Sequence, residues 1–148
     1  MNQDTHRTRP LPALLGSFQE LILETFRERL AEEGYPEIRP GHGCVFRFID
    51  EEGSRLTDLA ERAGLTKQAV GEVVVDLEAL GHVERVQDAE DGRAKVIRLT
   101  TRGRTALDAA DRIFAGIEAE WAERLGGGRI EALRETLEAI AALELEPA

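Results

Sequence analysis

Ala60, Gly64 and Val70 constrain this chain more than any other feature. Two short helices that cross at a steep angle need a small residue where they touch. They also need a turn residue that accepts positive φ and a branched apolar anchor on the second helix. Ala60, Gly64 four residues on and Val70 six residues after that meet all three requirements. Leu59, Leu65 and Val73 are expected to flank the same core. The first helix is expected over Leu56 to Ala63, capped by Ser54 or Thr57. The second is expected from the Thr66 cap to Leu80, with Val70, Val73, Val74, Leu77 and Leu80 facing inward.

After Gly81 the period changes. His82–Val86 and Lys95–Leu99 are short and β-branched, and a polar loop with Asp91-Gly92 at its tip joins them. That pattern predicts a β-hairpin. A helix-turn-helix followed by a hairpin is a winged helix, here over residues 54–100. The flanks are helical. Leu14, Leu15, Phe18, Leu21, Ile22, Phe26 and Leu30 recur at three- and four-residue steps until Gly34-Tyr35-Pro36. A shorter apolar helix is expected over Gly43 to Asp50. Thr100 or Thr101 should cap a long helix carrying Ala106, Ala110, Ile113, Ile117, Trp121 and Leu125. Gly126-Gly127-Gly128 breaks it before a last helix with Ile130, Leu133, Leu137, Ile140 and Leu143. The fold class is therefore mainly α with a small β-hairpin wing.

With 148 residues, 42% of them hydrophobic, the chain suits one domain, expected over 11–148 behind a flexible arm at 1–10. No apolar run is long enough for a membrane span, and the N-terminus lacks the apolar stretch of a secretory signal. A single cysteine fits a reducing cytoplasm. The formal net charge of −10 argues against a polyanionic partner, but its distribution does not. Residues 54–104 hold nine Arg and Lys against nine Asp and Glu, so the acidity lies wholly outside that segment.

The stretch Arg55–Val70, then Leu77–Arg85, the wing Asp88-Ala89-Glu90-Asp91-Gly92-Arg93-Ala94-Lys95 and Leu99–Gly103 resemble the multiple-antibiotic-resistance regulator (MarR) family. Ala89 departs from the proline common there. The resemblance covers most of the chain beyond the first ten residues. It implies a transcriptional regulator, usually a repressor, that binds a pseudo-palindromic operator in double-stranded DNA as a homodimer. The helices at 11–35 and 101–146 would interlock around the two-fold axis. It further implies a small aromatic or phenolic effector. His42, Phe46 and Trp121 are the candidate lining residues.

Thr66, Lys67 and Gln68 open the second helix, where a DNA-reading helix meets bases and phosphates. Gln suits adenine, and Lys suits guanine or phosphate. Gly71 would permit close backbone approach, and Glu72 could accept from cytosine. Lys67, Gln68, Gly71, Glu72 and Val75 are expected on the exposed face. Arg93 at the wing tip suits a narrow minor groove, with Asp91 orienting its stem or holding the turn. Lys95 and Arg55 are candidate phosphate contacts.

For each charged residue the rival reading is a solvated surface charge. Cys44, two residues after His42, is either a buried inert thiol or a redox sensor. The histidines show no metal-ligand spacing, no nucleophile–base–acid set appears, and no phosphate-binding glycine loop is present. An enzyme and a cofactor are therefore not expected. Two rivals remain: a winged helix that binds protein rather than DNA, and the amino-terminal dimerisation domain of a methyltransferase.

Overall fold

The computed structural model describes residues 8–145. Most of the expected arm at 1–10, up to Arg7, and the last residue of the helix expected to reach 146 lie outside the described residues. The elements run α1 (Leu11–Glu32), a 3-10 turn (Pro40–His42), α2 (Gly43–Phe46), α3 (Leu56–Ala63), α4 (Lys67–Ala79), β1 (Val83–Gln87), β2 (Lys95–Leu99), α5 (Thr101–Leu125) and α6 (Arg129–Leu145). The described residues divide into two compact units, broken after Ala110 within α5. None of their helices is long and apolar enough to cross a membrane.

The first unit is built on the seam between α3 and α4. Leu59, Val70, Val74 and Leu77 have no exposed surface, and Ala60 lies among them. Val45 from α2 and Val83, Ile97 and Leu99 from the hairpin complete this core. Gly64 ends α3 at φ 65°, and the Leu65 N–H returns to the Ala60 carbonyl at 3.0 Å. That tight left-handed turn throws the Leu65 side chain outward. It is 48% exposed rather than part of the core, as its apolar character had led us to expect.

The antiparallel hairpin pairs Val83 with Leu99 and Gln87 with Lys95. Its second edge is also occupied. Ser54 and Ile97 exchange both backbone hydrogen bonds, at 2.8 and 2.9 Å. This corrects the expected capping by Ser54 or Thr57. Arg55 holds the cap position of α3 without a side-chain capping bond, and the Ser54 hydroxyl instead accepts from the Asp50 N–H at 2.8 Å. Gly53 makes the bridge geometrically feasible. At φ 111° it lies so near β2 that a Cβ would stand 3.1 Å from the Ile97 carbonyl oxygen. The same loop shortens α2. Expected to reach Asp50, it stops at Phe46: the Phe48 N–H turns to the Val45 carbonyl (3.1 Å) rather than to Cys44, and the Asp50 N–H is then committed to Ser54.

Thr100 closes the winged helix. Its hydroxyl accepts from the Gly103 N–H (3.1 Å), capping α5, and donates to the Gly81 carbonyl (2.6 Å). Of the two threonines expected as caps, Thr100 serves. Gly103 packs directly on the His82 carbonyl.

In α1, Leu30 is buried, whereas Leu11, Leu14, Leu15, Phe18 and Leu21 remain exposed. In the second unit Ile113 and Ile117 are buried on α5. Three consecutive left-handed glycines, at φ 67°, 63° and 67°, turn the chain into α6. Leu133, Leu137, Ile140 and Leu143 form one exposed stripe on α6, and Arg134 pairs with Glu118.

Two glycines should respond oppositely to alanine. A Cβ at Gly103 would stand 2.0 Å from the His82 carbonyl oxygen, whereas at Gly71 the nearest atom is a Leu56 methyl at 3.7 Å. Gly103→Ala should lose about 3 kcal/mol of stability by overpacking. Gly71→Ala should gain about 0.5–1 kcal/mol from helix propensity. Urea unfolding midpoints read both changes.

Candidate nucleic-acid interface

α4 starts where its sequence requires. The Thr66 backbone is extended and its hydroxyl accepts the Ala69 N–H at 3.1 Å. From that cap, Val70, Val74 and Leu77 point into the core. Lys67, Gln68, Glu72 and Val75 point to solvent. Gly71, expected on that exposed face, is half-buried against Leu56 of α3. Its surroundings are those of a helix–helix contact.

The wing loop is held by its own polar groups. The Asp88 N–H donates to the Ala94 carbonyl (2.9 Å), and the Gln87 amide donates to the Gly92 carbonyl (3.1 Å). Of the two roles expected for Asp91, it takes the turn. Its carboxylate accepts the Arg93 N–H at 3.1 Å, the Asx-type arrangement that lets a short polar side chain stabilise a turn. The Arg93 side chain is left exposed at the tip.

Six of the nine cations between residues 54 and 104 are engaged internally. Arg62 reaches the Phe48 carbonyl and Asp50, at 2.8 and 3.0 Å. Arg98 pairs with Glu84 at 2.6 Å and Arg85 lies 3.6 Å from Glu78. Arg102 pairs with Glu37, and Arg104 donates to the Glu51 carbonyl at 3.2 Å. Arg55 is bound to Asp88 at 2.7 Å, so it braces the start of α3 against the base of the wing. Among the described residues only Lys67, Arg93 and Lys95 of this segment have no side-chain partner. They stand at the start of α4 and on the wing.

The Arg55 brace carries a pH signature. The hydrogen bond from Arg55, then the Glu90 backbone N–H, hold the Asp88 carboxyl below its ordinary 3.8. Asp88 binds its proton less readily folded than unfolded. The brace therefore stabilises fully above that ordinary value and is lost as pH falls through the lowered one. Nothing in the sequence signals a pair 33 residues apart.

A model of the MarR family matches residues 38–94. Transcriptional regulator HosA of Escherichia coli is 33% identical over 91 residues, which are 61% of this chain and 67% of HosA. This chain belongs to the MarR family of transcriptional regulators. Among solved structures, the transcriptional repressor CouR bound to a 23-mer DNA duplex is 26% identical. It superposes with a TM-score of 0.73 over 89% of this chain and 92% of its own. CouR from Rhodococcus jostii RHA1 bound to p-coumaroyl-CoA matches at 26% identity and a TM-score of 0.67, over 86% of this chain and 89% of its own.

The residues of this MarR-family chain expected to line an effector site have structural work of their own. His42 is buried. Its Nδ1 accepts the Arg39 N–H at 3.0 Å, and its Nε2 lies 2.6 Å from Asp76 of α4. With Nδ1 an acceptor, Nε2 donates, and the ring clamps α4 to the turn before α2. Both nitrogens are occupied, so only the ring face could meet a ligand. Phe46 is half-buried, its ring edge-on to buried His82 at 6.0 Å. His82 in turn lies 2.9 Å from Glu37. Burial pushes the Glu37 carboxyl up, but its own backbone hydrogen bond, Arg102 and His82 bring it to a net position below 4.5. Trp121 is half-buried on α5 in the second unit. Among the described residues no three His, Cys, Asp or Glu side chains are grouped to hold a metal.

His42 does not activate Cys44, because its nitrogens face Arg39 and Asp76. The Cys44 thiol donates to the Gly41 carbonyl at 3.3 Å, and burial pushes it above its ordinary 9.0. The thiol should stay protonated at neutral pH. Alkylation by iodoacetamide, followed by mass spectrometry, should be slow at pH 7 and accelerate only above pH 9. Rapid modification at pH 7 would restore the redox-sensor reading.

Proposed function

We propose that this chain is a homodimeric, DNA-binding transcriptional repressor with no enzymatic activity, acting in the cytoplasm on a pseudo-palindromic operator. One observation carries the reading. Internal pairing takes up the other basic side chains of the winged helix and leaves Lys67, Arg93 and Lys95 for phosphates. The N-terminal turn of α4, with Thr66, Lys67, Gln68 and Glu72, enters the major groove, and Gly71 lets α3 and α4 approach behind it. Arg93 enters the flanking minor groove, and Lys95 meets the backbone. Arg55 serves mainly by holding the wing. The exposed apolar stripes of α1 and α6 support dimerisation, since surfaces of that kind are rarely left to water. A small aromatic or phenolic effector, bound near the faces of His42 and Phe46, would shift the spacing of the two reading helices and release DNA. CouR's complexes with DNA and with p-coumaroyl-CoA support that arrangement.

The salt dependence of binding to an operator found by selection from random duplexes tests the charge assignment. Six free cations per dimer should give a log–log slope of about −5. Lys67→Ala or Arg93→Ala should each reduce its magnitude by about 2, two charges being lost per dimer. Gln68→Ala should cost about 1–3 kcal/mol and leave the slope unchanged. Absence of binding to any duplex at low salt would instead favour a protein-interaction module.

Sedimentation velocity checks the dimer. Replacing Leu133 and Leu137 together by Glu should produce a monomer at micromolar concentration. A wild-type protein that is already monomeric there would overturn the assembly.

A further inference from the structure

We infer that Val75 is a specificity residue that reads the 5-methyl group of a thymine. The inference rests on the DNA-binding reading above and extends it to a residue and a base.

At about 100° per residue, Gln68, Glu72 and Val75 fall within an arc of about 60° on α4. That arc lies opposite the buried stripe of Val70, Val74 and Leu77. Both of its borders are occupied. On one side Gly71 packs against Leu56, and Glu78 faces Arg85. On the other, Asp76 is held by His42 at 2.6 Å. The clamp and the packing together leave Gln68, Glu72 and Val75, followed by Ala79, as the open face of α4 beyond Lys67 at its start. Val75 is 57% exposed there, an apolar side chain in water beside the polar Gln68 and Glu72.

The chemistry of the arc selects bases. It contains an amide, a carboxylate and a pair of methyl groups, and no cation. Guanine shows two acceptors in the major groove and is most often read by Arg or Lys; the arc holds neither, and Lys67 at the helix start is assigned to phosphate. Adenine matches the Gln68 amide. The amino group of cytosine or adenine matches the Glu72 carboxylate. Thymine is the one base with a methyl group in the major groove, and it matches Val75. Seven residues of helix advance about 10 Å, so Val75 stands about three base pairs from the base that Gln68 meets. Arg93 on the wing favours the same composition, because A·T tracts narrow the minor groove it would enter.

The test uses the full-length chain and the duplex obtained by selection from random DNA. Each thymine is replaced in turn by uracil, which removes only the methyl group, and affinity is measured by fluorescence anisotropy. Wild type should lose about fourfold per half-site at one thymine, the ratio expected for one methyl-sized apolar group. That thymine should lie about three base pairs from the position whose preference Gln68→Ala relaxes. Val75→Ser should bind thymine and uracil duplexes equally, and Val75→Ile should keep the discrimination. Thermal melting confirms that both variants fold. If wild type binds DNA but no thymine shows a Val75-dependent uracil effect, the assignment of Val75 fails and the DNA-binding reading stands. If no duplex is bound at all, the DNA-binding reading fails first.

Discussion

The burial of one seam, where Ala60 lets α3 approach the Val70–Val74–Leu77 stripe of α4, governs everything outside it. These residues lie among the most buried of the chain, and interiors packed this way tolerate neither voids nor added atoms. Because the seam sets the rotation of α4 about its axis, it also decides which side chains face away. Lys67, Gln68, Glu72 and Val75 are exposed because Val70, Val74 and Leu77 are not. The His42–Asp76 contact and the Thr66 cap then hold the end and the flank of the helix against rotation.

Charge is handled by the same geometry. A chain of net charge −10 would be a poor partner for a polyanion if its carboxylates and cations were spread evenly. Instead the winged helix uses most of its arginines as internal fasteners: Arg55 to the wing, Arg62 to the loop after α2, Arg98 across the hairpin. Exposed pairs of this kind contribute little stability individually. Their consequence for recognition is larger, since a guanidinium already held by a carboxylate has less to offer a phosphate. What remains unpaired is few in number and gathered at the start of α4 and on the wing.

The helices, the hairpin and its tip were legible because each rests on local rules. Apolar residues at three- and four-residue steps mark a helix, alternation marks a strand, Gly64 and Gly81 accept positive φ, and Asp91 folds back on the Arg93 N–H. The differences arise where a turn re-aims a side chain or a residue's partner lies elsewhere in the fold. Ser54 is a good local cap, yet its backbone is drawn into pairing with Ile97. Leu65 is apolar, yet the turn it follows points it outward. Gly71 suggested a close approach by a ligand, and the close neighbour is Leu56. Arg55 looked like a free cation until Asp88, far along the chain, stood beside it.

By itself the sequence determined the order of elements, the paired helices α3 and α4 and the wing tip, because hydrophobic period, capping and turn chemistry act within a few residues. It also determined that the acidity lies outside residues 54–104. Only the tertiary structure decided which cations are spent on internal carboxylates, which flank of α4 is closed by His42 and Leu56, and that Val75 stands in the open arc between them. Those outcomes depend on which side chains meet across the fold, and a pairing between residues on different elements leaves no trace in local pattern.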